Sequence, residues 1–404
     1  MTMLGRSVAV ALALAALAAL ASAELSPREE EFAAVPSGAA ARESLLYITS
    51  EAHVAGTTGD AKMAEYVQSE FVKAGIPDAE IFALTVGLNY PGEAAPSLAL
   101  VDAASGETVF AAALSEDVVA SDRTSDTWYR NHTFNGYGPS GDVSGEAVYA
   151  NYGRPEDFDA LAAAGVDVKG KVVVTRYGQC FRGLKAMNAE ARGAIATLIY
   201  SDPGDDGYGQ GEVYPDGPWR PASAVQRGSA QFLSLCAGDP FRADARYAAL
   251  PGFNETNATE TLCGYAPEET IPRRPVLPIS YGDAAPILAR LGGAAAPEGF
   301  TGGIANLTYT VGPSEGLLLR VVTDNPFVTT PIWNVVGTIE GRDDGATPVL
   351  MGNHRDAWVF GAADPNSGTA SLLEVAKGLG QLRKVGFIDL RSWLGGWRAV
   401  VLMR

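Results

Sequence analysis

The stretch from Pro348 to Leu382, PVLMGNHRDAWVFGAADPNSGTASLLEVAKGLGQL, constrains the fold more than any other part of the chain. Val349-Leu350-Met351 has the length and composition of a buried strand, and His354, Arg355 and Asp356 follow at its end. A Gly-rich loop leads to Asp364-Pro365-Asn366-Ser367. Beyond it Leu372, Leu373, Val375, Ala376, Leu379 and Leu382 recur at helical spacing on one broad face, which predicts a helix running to about Lys384 with Ser367 or Asn366 as its cap. A strand, a loop and a helix in this order belong to an α/β sheet, and such sheets hold ligands at this rim. An imidazole and a carboxylate are both good zinc ligands, and a carboxylate can bridge two ions. Asp356 stands two residues past His354, a placement suited to accepting the free ring N–H of a metal-bound imidazole. On spacing alone, a histidine and two aspartates on solvated loops account for the pattern equally well.

With 404 residues there is room for two or three domains and a sizeable core. The formal net charge of −17 argues against nucleic acid as a partner, because nothing would neutralise phosphates. Residues 1–23 read as a signal peptide: Arg6 is the only charge, Val8 to Ala21 is apolar throughout, and Ala21-Ser22-Ala23 is a cleavage signature. The apolar run is short of the roughly 20 residues of a membrane span, so a cleaved signal is favoured over an anchor. Secretion, to the exterior or a vacuolar lumen, is the expected destination. Sequons at Asn131, Asn254, Asn257 and Asn306 are candidate glycosylation sites. Among three cysteines, Cys236 and Cys263 bracket a loop rich in Pro, Gly and Asn and are the expected disulfide, leaving Cys180 free.

Residues 24–39 are polar and read as a loose lead-in. Helical periodicity at Met63, Tyr66, Val67, Phe71 and Ala74 stops at Gly75 and Pro77, and a strand follows over Glu80 to Leu88. From about Ser97 the chain turns to short strands: Leu98–Asp102 and Thr108–Ala113 form a hairpin around Ser105-Gly106. Strands over Val148–Asn151, Lys171–Tyr177 and Thr197–Ser201 alternate with helices starting at Pro155 and spanning Lys185–Arg192. His132 lies between turn residues and reads as a lone exposed histidine; Asp205-Asp206 reads as a solvated acidic loop without ligand spacing. Strand character returns at Ile332–Ile339.

The run GNHRDAWVFGAADPNSGTA resembles the first metal segment of the glutamate carboxypeptidase II and transferrin receptor family of co-catalytic zinc peptidases. The resemblance implies that His354 binds one zinc ion and that Asp364 bridges two. The stretches NYGRPEDF, GKVVVTRYGQCFRGLK, NAEARGA, YSDP and YPDG are similar to the protease-associated (PA) domain that this family carries. Arg154 matches the arginine that grips the substrate's α-carboxylate, a task suited to a guanidinium fork, although pairing with Glu156 or Asp157 is the plainer use of an arginine here. Trp219 replaces a family asparagine, which puts glutamate preference in doubt. His53 stands in a His-x-Ala-Gly-Thr stretch that is structural in the family, and a packed or capping role is expected for it.

The implied fold is an α/β zinc-peptidase core, truncated, split by an inserted mostly-β PA domain. Its expected segments are 40–92 for the first part of the core, 93–328 for the PA domain and 329–384 for the second part, followed by a divergent tail at 385–404. The family continues with a Trp-Asp-x-Glu-Glu motif that supplies the general base, whereas beyond Asp364 this chain has Glu374, Asp389 and no histidine. The sequence therefore predicts a zinc metallocarboxypeptidase, acting on peptides with a free C-terminus, whose present chain is incomplete and inactive by itself. Homodimerisation is expected only with the family's C-terminal helical domain. The alternative is a non-enzymatic, receptor-like protein that binds partners through its PA domain.

Overall fold

The computed structural model describes residues 25–241, 263–339, 349–385 and 399–403. Residues 1–23, expected to be a signal peptide, and the sequons at Asn254 and Asn257 lie outside them. In chain order the helices and strands are α1 (Pro27–Ala33), α2 (Gly38–Ile48), α3 (Thr58–Ala74), β1 (Glu80–Asn89), β2 (Ser97–Asp102), β3 (Thr108–Ala111), β4 (Asn135–Gly136), β5 (Gly141–Gly145) and β6 (Ala147–Tyr149). There follow α4 (Pro155–Ala163), β7 (Val172–Arg176), α5 (Arg182–Ala191), β8 (Ala196–Tyr200), β9 (Gly228–Ser229), β10 (Val276–Ile279) and α6 (Tyr281–Leu288). The last elements are β11 (Leu317–Thr323), β12 (Phe327–Ile339), β13 (Val349–Asn353), α7 (Asn366–Lys384) and β14 (Ala399–Met403). The chain divides into two compact units, one of Met1–Ala83 with Trp333–Arg404 and the other of Leu84–Ile332.

The first unit is built on a sheet in the order β1-β12-β14-β13. Helices α3 and α7 bury the apolar stripes that their periodicity announces: Met63, Val67 and Phe71 pack with Leu372, Leu373, Ala376, Leu379 and Leu382, against Val335 and Ile339 of β12. The two helices approach closely at Gly380, where a Cβ would stand 1.5 Å from the carbonyl oxygen of Ala74. Helix α3 starts on the Thr57 hydroxyl, which accepts from Asp60 N, and stops at Gly75 in the left-handed region.

Three local expectations are corrected here, and the tail adds a strand that was not foreseen. The lead-in is not loose throughout: Ser26 and Glu29 form a reciprocal capping box, with Pro27 in the first turn, and start α1. Neither Ser367 nor Asn366 caps α7; Pro365 occupies the cap position, Asn366 turns to His53, and the Ser367 hydroxyl donates to Ala363 O. The strand at Val349 forms but is not buried, for Leu350 is 69% exposed. The tail contributes β14, which pairs antiparallel with β12 and parallel with β13. Its apolar run Ala-Val-Val-Leu-Met was the available signal.

The second unit contains a parallel sheet, β10-β8-β7-β6, and an antiparallel one, β3-β2-β11-β5. Val172, Val173 and Val174 are completely buried, as a parallel strand covered on both faces requires. They share a core with Phe158 and Leu161 of α4 and with Ile287 and Leu288 of α6. The hairpin of β2 and β3 turns where Asp102 accepts from the backbone of Ala104 and Ser105. The expected disulfide joins Cys236 to Cys263. His132 is buried rather than exposed: it stacks on Trp128, with ring centroids 3.6 Å apart, and its Nδ1 pairs with Trp128 O. A nearby indole thus shields a ring that the surrounding turn residues had suggested was in solvent. Asp205 and Asp206 pair with Arg176 and Arg220. Among the described residues no helix is long and apolar enough to cross a membrane.

Candidate metal site

His354 leaves the end of β13 and Asp364 lies two residues before the start of α7. The two elements are fastened at this point by Asn353, whose amide donates to Pro365 O and Thr369 Oγ1, both at 3.0 Å. The Thr369 hydroxyl returns a bond to His354 O. This clasp brings His354 Nε2 to 3.1 Å from Asp364 Oδ1. On the other side of the ring, Nδ1 faces Asp356 O at 3.1 Å and Asp356 Oδ1 at 3.3 Å. The two Asp356 oxygens are acceptors, so Nδ1 carries a proton; the Asp364 carboxylate is an acceptor too, and Nε2 becomes a metal donor once it gives up the proton it shares with Asp364. The hydrogen bond to Asp356, ahead of that to Asp364, raises the His354 imidazole above its ordinary range. Asp364 is 90% exposed, and the first turn of α7 next to it favours a negative charge.

Beneath this pair lies a buried layer that the sequence did not reveal. Arg355, between the two residues that frame the site, is completely buried. Its Nη1 stands 2.7 Å from both the Asp60 carbonyl and the Asp60 carboxylate, and Nη2 donates to Trp333 O at 2.9 Å. The loop is therefore anchored to α3 and β12. A second anchor joins His53 to Asn366 at 2.8 Å. His53 Nδ1 must donate to Glu51 O, so Nε2 accepts from the Asn366 amide, which requires a neutral ring. Burial lowers the His53 pKa and is consistent with that. The packed role expected of His53 is what the structure shows. Asn353 and Asn366 had one available sequence signal, polar amides at the last strand residue and the first helical residue; nothing in the sequence linked Asp60 to Arg355, 295 positions apart.

Two donors bound tetrahedrally to one zinc ion stand about 3.3 Å apart. The 3.1 Å between His354 Nε2 and Asp364 Oδ1 lies within a few tenths of that spacing. The donor types and the carboxylate behind the imidazole fit zinc. The number of donors is short: among the described residues no group of three His, Cys, Asp or Glu side chains is assembled for a metal. Glu374 does not supply one, since it is buried and accepts from Ser37 N at 2.9 Å and Lys377 Nζ at 2.6 Å.

Arg154 lies in the other unit, and its guanidinium is engaged. Nε and Nη2 donate to the two oxygens of Asp157 at 3.1 and 3.0 Å, and Nη1 pairs with Glu156 at 3.1 Å. Asn131 and Asn306 are exposed, and the Asn131 side chain accepts from the Ser115 hydroxyl.

Residues 140–233 match the PA domain and residues 334–389 match peptidase family M28. The chain matches the glutamate carboxypeptidase and transferrin receptor family, with its PA insert. It is 40% identical over 356 residues to a probable glutamate carboxypeptidase of Arthroderma benhamiae, covering 86% of this chain and 46% of the relative. A glutamate carboxypeptidase 2 homolog of Caenorhabditis briggsae is 37% identical over 360 residues, covering 87% of this chain and 45% of the relative. Human transferrin receptor protein 2 is 36% identical over 265 residues, covering 64% of this chain and 31% of the receptor. The chain spans about half the length of the first two relatives. The fold is that of a PA domain inside a peptidase family M28 core.

Proposed function

We propose that this chain belongs to a zinc metallopeptidase of the glutamate carboxypeptidase type, which acts on peptides with a free C-terminus, and that His354 and Asp364 are two of its metal ligands. The observation that carries this reading is the 3.1 Å approach of His354 Nε2 to Asp364 Oδ1, with Asp356 behind the imidazole. The names of the relatives support the reaction class. Zinc, when bound, supplies a Lewis acid and lowers the pKa of a coordinated water. The residues of this chain hold and orient. Asp356 fixes the His354 tautomer and turns Nε2 outward, while Asp364 offers a carboxylate able to reach one ion or bridge two. Asn353, Arg355 and Asn366 keep the loop in place. Arg154 offers a fork for a substrate α-carboxylate, which must compete with Asp157 for it.

Two donors do not make a tight site, so the pair present among the described residues would by itself hold zinc weakly. Glu374, turned to Ser37 N and Lys377 Nζ, is not free to act as a carboxylate base there. Passage through the secretory pathway, by a signal at residues 1–23 and with glycans at Asn131 and Asn306, is part of the same reading. The Cys236–Cys263 disulfide supports it, because such bonds persist in oxidising compartments.

Zinc retention by the chain, compared with its His354→Ala and Asp364→Ala variants, tests the assignment. Each variant is expected to lose at least tenfold in affinity. Unchanged retention in both would refute it. Tight stoichiometric zinc with peptidase turnover in the wild-type chain would show instead that the donor set is complete.

A further inference from the structure

One nucleophile pair in the second unit has no part in this reading. Lys185, on α5, is completely buried. Its Nζ donates to Tyr152 O at 2.6 Å and to Gly178 O at 2.7 Å, and it stands 3.7 Å from the Cys180 sulfur. The three partners are two carbonyls and a thiol, so the buried cation has no carboxylate among its hydrogen-bond partners. Such a cation gives up its proton readily, and burial brings the Lys185 pKa down to about 8. Arg154 and Asp157 act on it through space with opposite signs. Cys180 is half-buried and is the free cysteine, since Cys236 and Cys263 are joined; burial raises the Cys180 thiol above the ordinary range, and the contact with Lys185 opposes that rise. Its backbone is held by a bond from Cys180 N to Gly178 O, and Lys185 N is tied to Phe181 O in the first turn of α5. An amine and a thiol are thus fixed in contact on one short stretch of chain.

We propose that Cys180 and Lys185 form an oxidation-dependent covalent cross-link, in which a peroxide converts the thiol to a sulfenic acid and the lysine amine captures it as a sulfenamide. In the first step the sulfur attacks a peroxide oxygen. An S–O bond forms, the O–O bond breaks and one water leaves. In the second step the Lys185 lone pair attacks sulfur. An N–S bond forms, the S–O bond breaks, and the hydroxyl departs with the amine proton as a second water. One thiol, one amine and one hydrogen peroxide give the link and two waters; sulfur is oxidised by two electrons and peroxide is reduced by two. A sulfenic acid is more often trapped by a second thiol, but the other two cysteines are already bonded to each other, and the amine is in contact.

The test is peroxide treatment of the whole chain, digestion with trypsin without reductant, and mass spectrometry. The expected product joins the peptide Tyr177–Arg182 to Gly183–Arg192, uncleaved at Lys185. Its mass lies two hydrogens below the sum, and a thiol reductant releases it. Cys180→Ser and Lys185→Arg each abolish it. Should Lys185→Arg fail to fold, the wild-type map and Cys180→Ser still decide. Complete cleavage at Lys185 in a treated chain that keeps its melting midpoint, with Cys180 unchanged or present as sulfinic acid, overturns the proposal. A link heavier by one oxygen overturns the direct capture by nitrogen.

Discussion

Replacing Arg355 by Met tests how the His354 loop is held without touching His354 or Asp364, the proposed ligands. The guanidinium is completely buried, and the Asp60 side chain beside it is 2% exposed. Removing one partner of such a pair leaves the other charge buried and uncompensated, at about 3–5 kcal/mol. The Asp60 and Trp333 carbonyls also lose their donors, a loss already within that range. At about 2–4 °C per kcal/mol for a unit of this size, the melting midpoint of the first unit should fall by about 6–20 °C. Burial raises the Asp60 carboxyl above its ordinary range, against the opposing pull of Arg355. A carboxyl raised in the folded state binds its proton more tightly there than in the unfolded chain. Its contribution to stability is therefore full below the unfolded pKa and is lost as pH rises through the folded one. Without Arg355 that folded value rises further, so the variant's deficit should be largest at neutral pH and shrink towards about pH 4. Calorimetry across this range measures both effects, with Arg383→Met as the control. Arg383 is exposed and bonds one carbonyl, Gly75 O, so its loss should stay within about 0.5 kcal/mol. A midpoint for Arg355→Met within about 2 °C of wild type at neutral pH would refute the reasoning.

Two further outcomes are expected. Replacing Cys236 and Cys263 by Ser, which opens a link of sequence separation 27, should cost about 3.5 kcal/mol by the loop-entropy relation, read as a lower melting midpoint; non-reducing peptide mapping that found Cys180 in the bridge would contradict the pairing. Arg154→Ala should weaken binding of a peptide with a free C-terminus about tenfold or more, the worth of a charged hydrogen-bonded pair, with no change for the same peptide amidated at its C-terminus; isothermal titration distinguishes the two.

Much of this molecule was legible in its sequence because the signals are local. The apolar stripe from Leu372 to Leu382, the stop at Gly75, the Ser105-Gly106 turn and the alternation of strands with helices after Val148 each depend on neighbours a few residues away. The Ser26 and Glu29 capping box was equally local, though the polar character of the lead-in masked it. The proposed ligands His354 and Asp364, with Asp356 between them, were legible only as residue types in order. The tertiary structure decided what lies beneath and around them. Strand β14 pairs with β12 as well as with β13, and β12 ends ten residues before β13 begins. Arg355 follows the strand next to His354, yet it is among the largest completely buried side chains of the described residues, because Asp60 and Trp333 come from other elements to receive it. His132 is shielded by Trp128, and His53, whose pKa burial lowers, accepts from Asn366, 313 positions away. Local spacing fixes which backbone can form. A buried charge or imidazole needs partners that only folding brings within hydrogen-bonding distance, so their identity is settled by the tertiary structure.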